Sequence, residues 1–250
     1  MIKNIYKSLP VFLAAVIWGI VNIACTKANT NYMPPTTDTM HHTGAGDSLP
    51  ATGPITFLAL GDSYTIGQNV QEQERFPAQT AAQLQKDYFS VANLQYIATT
   101  GWTTIDLQAA IAQQNPSGPF SVVTLLIGVN DQYQHMDTAG YRVRFAQLLQ
   151  TAITLAGNRV ARVFVLSIPD YSVTPFGGGS TRIKQEIDAF NAINKQITLA
   201  AGVAYVNITD ISRQAATDQS LTADDGLHPS GKQYALWAKV LAPVIEKALK

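Results

Sequence analysis

Cysteine and net charge are the two features that this sequence has least of. One cysteine in 250 residues excludes an intramolecular disulfide, and neither a CxxC pair nor an HExxH motif suggests a zinc site. The 17 Lys and Arg residues balance 17 Asp and Glu residues, and no basic run with interleaved aromatic residues occurs. A chain without a net charge or a basic patch has little to attract nucleic acid. We therefore expect no nucleic-acid partner and no metal site.

The single cysteine, Cys25, lies at the end of an N-terminal targeting segment. Two lysines precede an uncharged stretch over residues 8–24, which is long for the apolar part of a signal peptide and short for a membrane span. The residues before Cys25 resemble a bacterial lipoprotein signal, in which the cysteine is lipidated and becomes the mature N-terminus, although Asn22 replaces the usual aliphatic residue. An uncleaved anchor helix and a small buried thiol are the alternatives. We predict that residues 1–25 direct export, with the protein held at a membrane by a lipid or an anchor.

Residues 26–54 differ in composition from the rest of the chain. They are rich in Thr, Asn, Pro, Gly and Asp and have almost no aliphatic side chains to bury. We predict a disordered tether here, followed by one domain over residues 55–250.

Short apolar runs alternate with longer helical patterns after residue 54. The predicted strands are 55–60, 94–98, 122–127, 160–167 and 203–206, and the predicted helices are 77–88, 104–113, 139–156, 183–200 and 231–249. Strands this uniformly apolar are typical of a parallel sheet that is covered on both faces, and strand–helix alternation implies right-handed crossovers. The pattern predicts an α/β fold with helices on both sides of a mostly parallel five-stranded sheet.

Polar residues follow four of the predicted strands. Ser63 follows the first strand, Gly101 the second and Asn130 the third, while Asp225 and His228 come after the fifth. The carboxyl ends of parallel strands meet at one edge of an open sheet, where ligands bind. We therefore expect these five residues to lie close together.

These residue types suit acyl transfer. A serine hydroxyl is a weak nucleophile unless a nearby imidazole takes its proton, and a carboxylate must then orient that imidazole. His228 and Asp225 can supply the two groups to Ser63. The oxyanion that develops in the reaction needs N–H donors, which the backbone of Ser63, the backbone of Gly101 and the side chain of Asn130 can provide.

Each residue also has a structural interpretation. Ser63 can be the cap of a helix, Gly101 can be an ordinary turn residue, and the Asn130 side chain can close a turn with its own backbone. His135 is a second candidate for the base because it also follows the third strand. The pair Asp224 and Asp225 with His228 can be considered as metal ligands, but the sequence offers no further ligand.

The same residues carry a resemblance to a known family. The segments GDSYT, TTGWTT, GVND and DGLHPS resemble, in order, the four conserved blocks of the SGNH hydrolases, also called the GDSL esterase/lipase family. The resemblance covers residues 55–250 and implies a flavodoxin-like three-layer α/β/α sandwich. It also implies Ser63 as nucleophile, Asp225 and His228 as its partners, an oxyanion hole of Ser63, Gly101 and Asn130, and no cofactor.

The family acts on several substrate classes, and the sequence does not choose among them. We expect a carboxylesterase or acetylesterase that cleaves small acyl esters, with O-acylated carbohydrates among the candidates. A thioesterase, a lysophospholipase and a non-catalytic glycan-binding module are the alternatives. The segment 169–180 contains two prolines and three consecutive glycines, residues typical of turns. We predict that it forms a mobile loop over the site.

Overall fold

The structure is a computed structural model that describes residues 53–87 and 89–250. The predictions for residues 1–25, and for the tether over 26–54 apart from its last two residues, lie outside the described residues. Within the described ranges, no helix has both the length and the apolar character that crossing a bilayer requires.

The core of the fold is a sheet of five strands. They are β1 (Ile55–Gly61), β2 (Val91–Ala98), β3 (Val122–Leu126), β4 (Val163–Leu166) and β5 (Ala204–Val206). Their order is β2-β1-β3-β4-β5, and every neighbouring pair is parallel. The predicted α/β fold is confirmed, and the sheet is parallel throughout.

Helices cover both faces of this sheet. They are α1 (Ser63–Ile66), α2 (Phe76–Lys86), α3 (Thr104–Gln114), α4 (Val129–Tyr133), α5 (Thr138–Leu155), α6 (Thr181–Ala200), α7 (Thr209–Ser212) and α8 (Gly231–Leu249). Helix α2 packs on α8, whereas α5 packs on α3 and α6. These two groups form the outer layers of the three-layer sandwich.

Burial follows strand position. All residues of β3 and β4 are buried, because these central strands have a helix layer on each side. The edge strand β2 exposes part of its length. Between α2 and α8 the rings of Phe76, Tyr234 and Trp237 pack with centroids 5.0–6.3 Å apart. This aromatic cluster lies beneath α1, where the ring of Tyr64 also contacts Trp237.

The structure departs from the predicted elements in several places. Strand β2 begins at Val91, three residues before its predicted start. Residues Val160–Arg162 form a 3-10 turn, so β4 begins at Val163. The short helices α4 and α7 were not predicted, because four or five residues are too few to show a helical period.

Candidate active site

The register of the sheet brings three sequence-predicted residues to one level. Gly61, the last residue of β1, pairs with Ala98 of β2 and with Leu126 of β3. The three strands therefore end side by side. Ser63 begins α1 directly after β1, and the segments that carry Gly101 and Asn130 follow β2 and β3 at the same edge.

A cavity of about 280 Å³ lies at this edge. Four of the five predicted residues line it, namely Ser63, Gly101, Asn130 and His228. The fifth, Asp225, lies behind His228 and contacts its ring. The structure thus brings these five residues together, although they are spread over more than 160 positions of the chain.

Ser63 is not the cap of its helix. That position belongs to Asp62, whose side-chain Oδ1 accepts a hydrogen bond of 3.0 Å from the backbone N–H of Tyr64. The Ser63 side chain is released from capping and is oriented toward the cavity, with 4% of the residue exposed. Its hydroxyl makes no hydrogen bond to another residue within 53–87 and 89–250.

Asp225 holds His228 by both backbone and side chain. Its Oδ2 lies 2.6 Å from His228 Nδ1, and its Oδ1 accepts 3.0 Å hydrogen bonds from the backbone N–H groups of Leu227 and His228. Partial burial raises the pKa of Asp225, but these hydrogen bonds outweigh it and lower the pKa below the ordinary value. The carboxylate therefore stays ionised at neutral pH. The other ring nitrogen of His228, Nε2, takes no part in the contact with Asp225.

Three residues that line the cavity carry N–H donors. In the described part of the chain, no acceptor satisfies the backbone N–H of Ser63 or of Gly101. Gly101 has a φ of 85°, a left-handed conformation that glycine adopts without strain. The Asn130 side chain donates one amide hydrogen to the carbonyl of Trp102 at 2.9 Å, which leaves its second hydrogen available. Asn130 thus reaches across to the loop after β2 and does not close a turn with its own backbone.

Two residues that support this arrangement were not predicted for that role. Asn69, at a φ of 62°, donates a hydrogen bond to Asp225 Oδ2, the same oxygen that contacts His228 Nδ1. The preceding Gln68 accepts a hydrogen bond of 2.6 Å from the hydroxyl of Thr100. The loop after α1 therefore links the Asp225 loop to the loop that carries Gly101. The only sequence signal was the glycine-containing turn Gly67-Gln68-Asn69, which by itself indicates a turn and not a contact.

His135 lies elsewhere. It has a φ of 57°, its Nδ1 is 3.2 Å from Arg182 Nη2, and it lines a separate cavity that does not include Ser63. Of the two candidate bases, only His228 shares a cavity with Ser63. No group of three or more His, Cys, Asp or Glu side chains within the described ranges is placed to hold a metal ion.

Aromatic side chains form the outer wall of the Ser63 cavity. The ring of Phe176 lies 6.2 Å from those of both Tyr133 and Tyr171, and Tyr133 and Phe176 are each about half exposed. The segment 169–180 that supplies Tyr171 and Phe176 is held by internal hydrogen bonds, including Gly179 N–H to the Ser172 carbonyl at 2.8 Å. Phe176 N–H also donates to the carbonyl of Gly226, close to His228.

The sequence of the chain matches a known family. The sequence pattern of the GDSL-like Lipase/Acylhydrolase family matches residues 59–236. None of the curated proteins compared with the chain matches it by sequence.

Solved structures share the fold at low identity. A psychrotrophic esterase, EstA from Pseudoalteromonas sp., is 20% identical with a TM-score of 0.57, over 78% of this chain and 98% of that one. The lipase/acylhydrolase from Enterococcus faecalis is 18% identical with a TM-score of 0.61, over 78% and 97%. A variant of Axe2, an acetyl xylan esterase from Geobacillus stearothermophilus, is 18% identical with a TM-score of 0.56, over 76% and 94%.

The family pattern covers most of the chain, and it includes all five residues that meet at the edge of the sheet. The chain therefore belongs to the GDSL-like lipase/acylhydrolase family.

Proposed function

We propose that the protein is a serine ester hydrolase of the carboxylesterase or acetylesterase type, which cleaves small acyl esters through an acyl-enzyme on Ser63. The observation that carries this proposal is the cavity that Ser63, Gly101, Asn130 and His228 share. Asp225 contacts the Nδ1 atom of the His228 imidazole. Nucleophile, base, orienting carboxylate and N–H donors are the set that acyl transfer requires.

The reaction proceeds in two half-reactions. Ser63 Oγ attacks the ester carbonyl while His228 Nε2 takes the hydroxyl proton, and the oxyanion accepts hydrogen bonds from the N–H groups of Ser63, Gly101 and Asn130. His228 then gives its proton to the leaving alcohol. Water attacks the acyl-enzyme with His228 again as the base, and the acid leaves as Ser63 regains its proton.

The size of the cavity supports a small acyl group. Its volume of about 280 Å³ lies near the lower end of ligand pockets, which hold about 300–1,000 Å³. Its wall is mainly apolar, with Val129, Leu227 and the aromatic side chains. We therefore favour short acyl esters over the long-chain substrates of a thioesterase or a lysophospholipase.

The test is a series of 4-nitrophenyl esters from acetate to palmitate, with Ser63→Ala as the inactive variant. We expect hydrolysis of the short esters, stoichiometric labelling of Ser63 by a fluorophosphonate, and loss of both in Ser63→Ala. A non-catalytic glycan-binding module predicts no hydrolysis by either protein and equal glycan affinity for both. A preference for palmitate would support the long-chain alternatives.

We also propose that the protein is exported and attached to a membrane through Cys25, on the basis of the N-terminal sequence alone. The mass of the mature N-terminal peptide tests this proposal. Diacylglycerol on Cys25, absent in Cys25→Ser, supports it, and a mature chain that retains residues 1–24 contradicts it.

A further inference from the structure

A second cavity adjoins the Ser63 cavity. Its volume is about 440 Å³, and Tyr133 and Tyr171 line both cavities. A substrate whose acyl carbon lies at Ser63 can therefore extend past these two rings into the second space. The two walls differ in character, because the Ser63 cavity is mainly apolar and the second cavity has several polar side chains.

A chain of hydrogen bonds orders those polar side chains. The Tyr171 hydroxyl donates to Gln132 Oε1 at 3.0 Å, and Gln132 Nε2 donates to Glu186 Oε2 at 2.6 Å. Arg182 Nε donates to Glu186 Oε1 at 2.8 Å, and Arg182 Nη2 lies 3.2 Å from His135 Nδ1. The chain starts at a residue of the Ser63 cavity and reaches the exposed guanidinium of Arg182.

The charges in this cavity offset each other. Arg182 is already paired with Glu186, and hydrogen bonds from Arg182 and Gln132 lower the pKa of Glu186, so that the carboxylate stays ionised. A phosphate or a uronate would find no uncompensated positive charge among the residues that line the cavity. A neutral ligand suits a balanced pair better.

The groups that remain free match a polyhydroxylated ring. A guanidinium has five N–H donors and a carboxylate accepts up to four hydrogen bonds, and the contacts above use only part of each. Tyr133 is 53% exposed, and its ring offers an apolar face beside them. A sugar has an apolar C–H face and hydroxyl groups that both donate and accept around its edge.

We propose that the second cavity binds the alcohol part of the substrate as a neutral glycosyl unit, so that the ester cleaved at Ser63 is an O-acyl carbohydrate. This inference rests on the proposed function of the Ser63 cavity, which would hold the acyl group.

Arg182→Ala in the full-length protein tests the inference. The readout is kcat/KM for acetylated xylooligosaccharide divided by kcat/KM for 4-nitrophenyl acetate, because the aryl ester has no glycosyl unit. We expect this ratio to fall about tenfold in Arg182→Ala, the loss typical of one or two hydrogen bonds, and to fall also in Glu186→Gln. Arg142→Ala is the matched control, since Arg142 is exposed, bonds Gln196 at 2.9 Å and lines neither cavity.

The outcomes separate the two proposals. An unchanged ratio in both variants overturns the inference and leaves ester hydrolysis at Ser63 in place. A selective loss of lysophosphatidylcholine hydrolysis in Arg182→Ala overturns it as well, because the ligand would then be a phosphate headgroup. If the wild-type protein hydrolyses neither ester and Ser63 is not labelled by a fluorophosphonate, the proposed function itself fails.

Discussion

Asp131 Oδ2 accepts a hydrogen bond of 2.8 Å from the backbone N–H of Thr104, at the first residue of α3. Asp131 directly follows Asn130, and Thr104 is three residues after Gly101. The contact therefore joins the two segments that carry these N–H donors. Arg144 completes the cluster, with its Nη2 3.1 Å from Asp131 Oδ1 and its Nε 2.8 Å from the Thr104 hydroxyl. The Asp131 side chain is fully buried.

We expect Asp131→Asn to lower kcat for 4-nitrophenyl acetate about tenfold with little change in KM. The carboxylate has two acceptor oxygens, whereas the amide has one oxygen and one NH2 group. The NH2 group must therefore face an N–H donor of Thr104 or Arg144, and that hydrogen bond is lost. Gly101 and Asn130 then lose their fixed spacing, and the oxyanion forms only in the transition state, so kcat carries the effect. Steady-state kinetics measures it.

Asp218→Asn is the control for this prediction. Asp218 pairs with Lys232 at 2.7 Å on the surface, where ion pairs contribute little. If Asp131→Asn changes KM and leaves kcat unaltered, Asp131 does not position the oxyanion donors.

The elements of this fold could be predicted because their causes are local. Apolar runs bounded by turn residues identified the strands, and the predicted bounds of α8 agree with the structure at both ends. The contacts behind the site are not local. Asn69 reaches Asp225 across 156 positions, and Asp131 reaches Thr104 across 27, so neither pairing leaves a periodic signal in the sequence. The site residues were predicted because parallel strands end at one edge, whereas their supports depend on side-chain packing.

The two histidines provide a direct test of the base. We expect His228→Ala to lower kcat by about 10⁴-fold or more, as loss of the base does in serine hydrolases. His135→Ala should cause a far smaller loss with 4-nitrophenyl acetate, because His135 lines the second cavity and not the Ser63 cavity. Activity and fluorophosphonate labelling of both variants measure this. Abolished labelling in His135→Ala, with labelling kept in His228→Ala, would reverse the assignment.

The buried carboxyl of Asp62 makes stability depend on pH. Burial raises the pKa of Asp62 to about 8, against the opposing hydrogen bond from Tyr64 N–H and with a further rise from the charge of Asp131. In the unfolded chain the pKa is about 3.9. Between these values the unfolded state binds fewer protons than the folded state, so stability falls as pH rises, by up to about 1.4 kcal/mol per pH unit.

Asp62→Asn removes this titration. We expect its free energy of unfolding, relative to wild type, to rise between pH 5 and pH 8 in urea denaturation. Asp218→Asn is again the control, because hydrogen bonds from Lys232 and Ser220 lower the pKa of Asp218 and its contribution does not change in this range. A flat difference for Asp62→Asn would mean that the carboxyl is ionised in the folded protein.

The last prediction concerns the segment 169–180 and the acyl group. A Cβ on Gly177 would lie 2.0 Å from the Tyr171 carbonyl oxygen and 2.7 Å from Ser172 Cα, so Gly177→Ala must displace backbone. That backbone positions Tyr171 and Phe176 in the cavity wall. A Cβ on Gly179, at a φ of 75°, meets no atom within 4 Å, so Gly179→Ala adds backbone strain of roughly 1–2 kcal/mol and leaves the wall in place.

We expect Gly177→Ala to lower the ratio of kcat/KM for 4-nitrophenyl butyrate to that for the acetate by about fivefold, because two methylene groups lose their apolar contact. Gly179→Ala should keep the wild-type ratio, because this substitution does not displace the cavity wall that Tyr171 and Phe176 form. A parallel series over acetate, butyrate and hexanoate measures both variants. If the two alanine variants shift the ratio equally, the wall that Tyr171 and Phe176 form does not contact the acyl chain, and other residues that line the cavity, such as Val129 and Leu227, must determine the chain-length preference.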